Sequence, residues 1–556
     1  MCGIQLFLTQ LKDKHIRELF IKLFTNIKVR GPEATEMHEK TFGNFNLNIG
    51  FQRLKINDIS DKGNQPFIFD NDEMFIAVMI NGEIYNHKEL EKEYQLTMNS
   101  NSDCEVVFHL IKKFINTKLD FSKLFNKLDG VFAGCVYYQN KYTKLSHIIT
   151  FRDIYGVRPM YYGEDDYSIG ISSELKGLVG LVGNIKQFPP GHFMRYTLND
   201  QEILSKEISR FYQYKFPIIN ASLEEVLGNI RTKFEQAVCK RMMSDRPLCC
   251  LLSGGLDSSL VASVLAKFST KKIHTFCVGM EGGEDFKYAK MVADHIKSIH
   301  HEIVLQEKDF LNVLPEVVRI IETFDGTTCR ASTGQYLVSK YIKENTDFKV
   351  VYVGEGSDEL TGGYMYFHNA PNEIEFDKEC KRLMRDLHFY DNKRSDRAVS
   401  HFGLETRVPF LDKEFTEYYL SIDPKLRFHK NSNNKIEKYL LRKAFDTEIS
   451  GYNYLPNNIL WRKKEAFSDG VSSKKHSWYQ VIQNFVKIQI GKEYELNKNI
   501  YGNYLMPYTE ELYFYRKIFT EHYGLENATI IPYFWLPKWS GNVIEASARV
   551  LDVYKN

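Results

Sequence analysis

Cys2 is the first residue of this 556-residue chain whose type and place suit chemistry. It follows Met1 and precedes the small Gly3, so loss of Met1 is expected to expose a thiol beside a free α-amine. An amine with a pKa near ~8 can serve as the thiol's own general base, and such a nucleophile needs no separate histidine. A second group, Leu251-Leu252-Ser253-Gly254-Gly255-Leu256-Asp257-Ser258-Ser259, lies between an apolar stretch and a helical pattern. Its glycines let the backbone wrap an anion while hydroxyls and helix N–H groups point at it. The Gly-Lys-[Ser/Thr] ending of a Walker loop is missing. A third, Gly354-Glu355-Gly356-Ser357-Asp358-Glu359, sets acidic and hydroxyl residues between glycines, which suits magnesium and phosphate better than a core. Each group also has a plainer reading. Cys2 alone fits an early residue of a buried strand, Gly-Gly an ordinary strand-to-helix turn, and the acidic loop a solvated one.

Other polar groups gather around these. Arg53-Leu54-Lys55-Ile56 puts a basic residue in an apolar stretch. Asn81-Gly82-Glu83-Ile84-Tyr85-Asn86 follows a predicted strand, and the Asn81 amide with a backbone N–H suits an oxyanion hole. Ser102-Asp103-Cys104-Glu105 stands at a predicted helix start, where Asp103 reads equally as a cap. Residues 322–333 form a polar cluster with one arginine, Arg330. Lys435-Ile436-Glu437-Lys438 and the run from Arg462 through Lys464 to Gly470 carry basic side chains, of the kind usually found on a solvated face.

The elements that must position these residues change in texture along the chain. Up to about residue 205, short segments such as 3–8, 75–80, 130–138 and 147–152 have strand character, interrupted by helical patterns at 15–27 and 104–114. That mixture predicts a layered α+β domain. From about residue 222, helices at 223–242, 259–268 and 287–296 alternate with strands at 247–252, 273–278 and 349–353. Such alternation predicts a doubly wound, mostly parallel sheet, in which ligands bind beyond the carboxyl ends of the strands. Both Gly-rich groups fall there.

Bulk properties narrow the classes. A chain of this length exceeds one core. Its net charge of +2 gives no drive onto nucleic acid or an anionic membrane. No apolar run reaches bilayer length. Residues 1–8 are apolar but lack a basic leader, so no secretory signal is read. Nine irregularly spaced cysteines make neither a disulfide framework nor a zinc pattern, and a reducing, cytoplasmic location is expected. The adjacent Cys249 and Cys250 read as buried.

Taken in order, Met-Cys-Gly-Ile, the Arg30-Gly31-Pro32 turn, Asn-Gly-Glu-Ile-Tyr-Asn and Ser-Asp-Cys-Glu resemble the class II (N-terminal nucleophile) glutamine amidotransferases. The Ser-Gly-Gly-x-Asp-Ser loop resembles the pyrophosphate loop of ATP pyrophosphatases. With the Gly-Glu-Gly-Ser-Asp-Glu loop, it looks like the synthetase domain of the glutamine-hydrolysing asparagine synthetases. The tail segment 532–539, with Ser547-Ala548-Arg549, is more like the animal-type enzymes.

The resemblance implies an α+β αββα sandwich over residues 2–208 and an α/β doubly wound synthetase domain over 209–556. It implies Cys2 and Glu355 as catalytic residues, with a tunnel for ammonia. Glutamine would be held by Arg53, Leu54, Ile56, Asn57, Asn81, Gly82, Glu83 and Asp103. ATP would meet Leu251, Ser253, Gly254, Gly255, Asp257, Ser258, Val278, Val353, Gly354 and Lys464. Aspartate would meet Thr328 and Arg330, and magnesium Asp257 and Asp358. ATP is then a substrate and no organic cofactor is expected. The implied partners are the small molecules alone, without nucleic acid or membrane, in a homodimer. The sequence leaves the family pattern at Val29, Glu33, Lys55, Asn57, Gly326, Cys329 and Val353. The alternatives are a glutamine-dependent adenylating amidotransferase with a different carboxylate substrate, and a non-catalytic homologue. Loss of Cys2, Asp257 or Glu355 would mark the latter, and all three are present.

Overall fold

The computed structural model describes residues 1–117, 120–432, 434–463, 470–472, 477–502, 504–541, 543–547 and 551. They form two compact units. The first comprises Met1–Tyr214, Met243–Arg246 and Ser400–Leu404, and the second is the rest of the described chain. The two short later segments join the first unit by packing, which no linear reading of the chain would reveal.

Strand Gly3–Thr9 is buried along its whole length, so both its faces must be covered. It pairs antiparallel with Phe45–Arg53 on one side and Ser168–Ser172 on the other, inside a six-stranded sheet. A second six-stranded antiparallel sheet has Gly130–Asn140 between Met74–Ile84 and Ser146–Arg152. Period-2 alternation divides the faces. Ile4, Leu6 and Leu8, with Leu47, Ile49 and Phe51, meet Ala77, Met79, Ala133, Cys135 and Tyr137 in one core. Phe7 points the other way and stacks on Phe20 of helix Lys14–Asn26. That helix lies close enough that a Cβ on Gly50 would sit 2.6 Å from the Phe24 ring. Across the second sheet, Phe125 of helix Phe121–Lys127 stacks on Phe151 with ring centroids 4.3 Å apart. Helix, sheet, sheet, helix is the layering of an αββα sandwich.

Strand Met74–Ile84 runs four residues past the apolar stretch. Asn81, Gly82 and Glu83, expected to follow the strand, therefore lie within it, opposite Ala133, Phe132 and Val131. Pairing with a long partner strand overrides their low strand propensity. Gly82 is needed there, because a Cβ would lie 2.1 Å from the Val131 carbonyl oxygen.

The second unit holds a five-stranded parallel sheet in the order Ile299–Leu305, His274–Met280, Leu248–Leu251, Val350–Tyr352, Glu405–Arg407. Cys249 and Cys250 are buried in its central strand. The order reverses between Leu248–Leu251 and Val350–Tyr352, and a crevice opens at such a switch point. Helix Leu256–Phe268 begins three residues earlier than its sequence pattern, so Asp257 and Ser258 lie in its first turn.

Candidate functional site

The first unit gathers its expected residues around Cys2. The Cys2 backbone nitrogen donates to Asn81 Oδ1 at 2.8 Å, and its Sγ lies 3.8 Å from the Leu54 carbonyl oxygen. Asn81 is fully buried, yet its Nδ2 has no hydrogen-bond partner among the described residues. A buried amide donor left unsatisfied costs about 1–3 kcal/mol, and such a group persists where something else uses it.

Glu83 and Asp103 are buried and converge on Asn57, whose Nδ2 donates to Glu83 Oε2 and, at 3.2 Å, to Asp103 Oδ1. Asp103 Oδ2 accepts the Ile84 N–H at 2.7 Å, so this residue ties the helix start to the strand. The Arg53 guanidinium is buried in its own loop, with Nη1 donating to the Ser60 carbonyl at 2.6 Å and Asn64 Oδ1 at 2.8 Å, and Nη2 to the Asn57 and Asp58 carbonyls. Leu54 and Ile56 are buried alongside. Glu105 holds the approach to Asp103, accepting from Asn99, Ser100 and His109. Burial pushes its carboxyl up, but those donors outweigh burial and bring it down to about 2.

Sequence reasoning missed Arg30. It is fully buried, and its Nε donates to the Cys2 carbonyl at 2.9 Å. Its Nη1 donates to Glu174 Oε1 at 2.8 Å and Ser400 Oγ at 3.1 Å. The Arg-Gly-Pro turn was the available signal. Glu33, a departure from the family pattern, accepts the Lys55 N–H at 2.7 Å and Arg246 Nη2 at 2.5 Å, which the longer side chain reaches.

The second unit has a cleft of about 1100 Å³ at the switch point, open solvent at its mouth included. Of the expected nucleotide residues, Leu251, Ser253, Gly255, Asp257, Ser258, Val278, Val353 and Gly354 line it, as do Glu355 and Asp358. Gly254 sits just behind with φ +72°, where a Cβ would lie 2.4 Å from the Ala289 nitrogen. Its carbonyl accepts Arg462 Nη1 at 3.2 Å. Lys464 lies outside the described residues. Val353, where the family has serine, still lines the cleft and keeps its backbone bond to the Arg407 carbonyl at 3.0 Å.

Lys438, quoted in the sequence only as one of a basic pair, is instead buried between the two aspartates. Its Nζ lies 2.6 Å from Asp257 Oδ2 and 2.6 Å from Asp358 Oδ1. Ser357 Oγ donates to Asp257 Oδ1 at 2.7 Å. Two carboxylates converging on one cation form a hard-oxygen set that fits magnesium. Among the described residues no cluster of three or more His, Cys, Asp or Glu suits a metal, so phosphate oxygens would complete the shell. Arg394, Arg442, Arg462 and Lys463 add positive charge to the lining.

Glu355 Oε1 accepts from Gln335 Nε2 at 3.1 Å and lies 3.7 Å from Arg394 Nη1. Burial pushes its carboxyl above the usual range, against the pull of Arg394. Thr328 and Arg330 are not brought to this wall. Asp325 Oδ2 accepts both the Thr328 N–H at 2.9 Å and its hydroxyl at 2.7 Å. Arg330 is buried with Nε on Glu511 Oε1 at 2.7 Å and Nη2 on Glu545 Oε2 at 3.0 Å. Neither is among the described residues lining the cleft. Cys329 is buried with its Sγ 3.7 Å from the Thr323 carbonyl, and Gly326 leaves room for Leu512.

The Asparagine synthase family profile matches residues 229–377 and 369–542, and the Glutamine amidotransferase domain profile matches residues 1–214. The chain is 40% identical over 560 residues to the glutamine-hydrolysing asparagine synthetase of Gallus gallus, covering 95% of each chain. It is 39% identical over 552 residues to that of Homo sapiens, again covering 95% of each.

Proposed function

This chain belongs to the family of glutamine-hydrolysing asparagine synthetases, and we propose that Cys2 and Glu355 lead its two half-reactions. With Met1 removed, the α-amine of Cys2 takes the thiol proton. The thiolate attacks the side-chain carbonyl of glutamine. Asn81 Nδ2 and the Gly82 N–H donate to the oxyanion; the unsatisfied, buried Asn81 amide supports this. The C–N bond then breaks, ammonia leaves, and water hydrolyses the thioester to glutamate. Glu83 and Asp103 receive the α-ammonium of glutamine, and Arg53 its α-carboxylate, against Leu54, Ile56 and Asn57. The convergence of two buried carboxylates on one amide supports that ammonium site.

In the second unit, the β-carboxylate of aspartate attacks the α-phosphorus of ATP and pyrophosphate leaves. Ammonia then attacks the acyl carbon of the β-aspartyl adenylate, and AMP leaves with asparagine formed. Ser253, Gly254, Gly255, Ser258 and Lys464 hold the pyrophosphate. Leu251, Val278, Val353 and Gly354 border the nucleoside. Glu355, whose carboxyl burial keeps basic, takes a proton from the attacking ammonia. Asp257 and Asp358 would hold magnesium, which when bound neutralises charge on the triphosphate. Aspartate lies against helix Gly326–Asn345, which carries Thr328 and Arg330.

The observation that carries this reading is the shared cleft wall. The Ser253–Ser258 turn and Glu355 stand side by side beyond the carboxyl ends of neighbouring parallel strands. Mass spectrometry of products from aspartate, glutamine, ATP and magnesium tests it. AMP and pyrophosphate are expected in equal amount to asparagine, and ADP with phosphate would overturn the adenylating step.

A further inference from the structure

Residues Met243–Arg246 pack in the first unit, although they follow its continuous stretch Met1–Tyr214 and stand in the chain just before strand Leu248–Leu251. Ser244 shapes them into a tight turn. Its Oγ accepts the Arg246 N–H at 3.0 Å and donates to the Arg246 carbonyl at 3.0 Å. This turn lies against residues 54–58, the loop that follows Arg53 and carries Asn57.

The Asp245 N–H donates to the Ile56 carbonyl at 3.0 Å, and Asp245 Oδ2 accepts the Asp58 N–H at 2.8 Å. Arg246 Nε donates to the Lys55 carbonyl at 2.9 Å. Its Nη2 reaches Glu33 Oε1 at 2.5 Å, while Glu33 Oε2 accepts the Lys55 N–H at 2.7 Å. The backbone of Lys55, Ile56 and Asp58 is thus held from outside the loop. The loop needs that hold, because Asp58 has φ +56°, in the left-handed region that a side chain disfavours. In this conformation the Asp58 carbonyl accepts Arg53 Nη2, as does the Asn57 carbonyl at 3.3 Å. Asn57 in turn places its amide on Glu83 and Asp103. The backbone that Asp245 and Arg246 fix therefore sets both the Arg53 guanidinium and the Asn57 amide. Cys2 is held by other residues, its nitrogen by Asn81 and its carbonyl by Arg30. The turn accordingly bears on the groups around the α-carbon of glutamine more than on the thiol.

We propose that Asp245 and Arg246 are positioning residues for glutamine: without touching it, they fix the loop from which Arg53 and Asn57 meet its α-carboxylate and α-ammonium. The proposal rests on the reading of Arg53, Glu83 and Asp103 as the glutamine site. Failure of that reading shows separately, as an unchanged KM for glutamine in Arg53→Ala.

The test joins steady-state glutamine hydrolysis to the rate at which two alkylating agents inactivate it. One is a diazoketone analogue of glutamine, which carries the α-ammonium and α-carboxylate. The other is iodoacetamide, which carries neither. In Asp245→Ala, KM for glutamine is expected to rise roughly 10-fold, the effect of one hydrogen bond to a charged group, with kcat changed less. Arg246→Ala should behave alike. Inactivation by the diazoketone should slow in proportion, while inactivation by iodoacetamide stays near the wild-type rate. Asp245→Asn keeps an oxygen for the Asp58 N–H and should retain most of the affinity. Arg246→Lys should raise KM, because one ammonium does not replace a fork that serves both the Lys55 carbonyl and Glu33. Ammonia-dependent synthesis near wild type would show that each variant is folded. Where an alanine variant does not fold, Asp245→Asn and Arg246→Lys carry the test. An unchanged KM for glutamine in the folded alanine variants, or in Arg246→Lys where it stands in for them, would overturn the proposal. Equal slowing with both reagents would overturn it too, because the thiol itself would then have moved.

Discussion

Arg30→Lys separates two jobs that one buried side chain performs. The guanidinium donates to the Cys2 carbonyl through Nε and to Glu174 and Ser400 through Nη1. Lysine offers one point charge where arginine offers a planar fork. It can keep the pairing with Glu174, which is 2% exposed, but then drops the bond to Cys2. A hydrogen bond from a charged donor contributes about 1.5–3 kcal/mol. For a unit of this size, a loss of about 2 kcal/mol lowers the unfolding temperature by roughly 4–8 °C. The larger effect falls on chemistry, because a misplacement of about 1 Å at a nucleophile costs roughly 100-fold in rate. We therefore expect glutaminase kcat to fall by about that factor in Arg30→Lys, with KM for glutamine less affected. Ammonia-dependent asparagine synthesis should stay near wild type. The assay is steady-state glutamine hydrolysis beside ammonia-dependent synthesis, with a thermal melt. Wild-type glutaminase kcat in a folded Arg30→Lys protein would refute the claim that Arg30 holds Cys2 in place.

Cys2→Ala should remove glutamine-dependent synthesis and leave ammonia-dependent synthesis, and retained glutaminase activity would rule out the thiol as nucleophile. Glu105 gives a pH-dependent test. Its folded carboxyl lies at about 2, below the ordinary 4.5, so its contribution is present above pH 4.5 and fades as pH falls toward 2. Thermal melts of wild type and Glu105→Gln should therefore differ most near neutral pH and converge as pH falls toward 2. A gap that stays constant with pH would exclude this role.

Several parts of both sites were legible because their signals are local. The Ser-Gly-Gly-x-Asp-Ser combination after an apolar strand is such a signal, and Ser253, Gly255, Asp257 and Ser258 line the cleft. The period-2 stretches became strands near their expected positions, while Asn81-Gly82-Glu83 was drawn into one by its partner. Lys438 was not legible. A lysine in Lys-Ile-Glu-Lys looks solvated until a fold buries it against Asp257, 181 residues away. The same holds for Arg30 at Cys2.

Periodicity and turn chemistry act over a few residues, so the chain's own order dictated its two layered architectures and the residues at its turns. Which charges meet is a different matter. A charge buried away from water must find a partner or shift its protonation, and distant segments supply those partners only once packed. Cys2 stood out as a candidate nucleophile from its place in the chain. The grip of Arg30 on its carbonyl, and the unsatisfied amide of Asn81 beside it, came from folding.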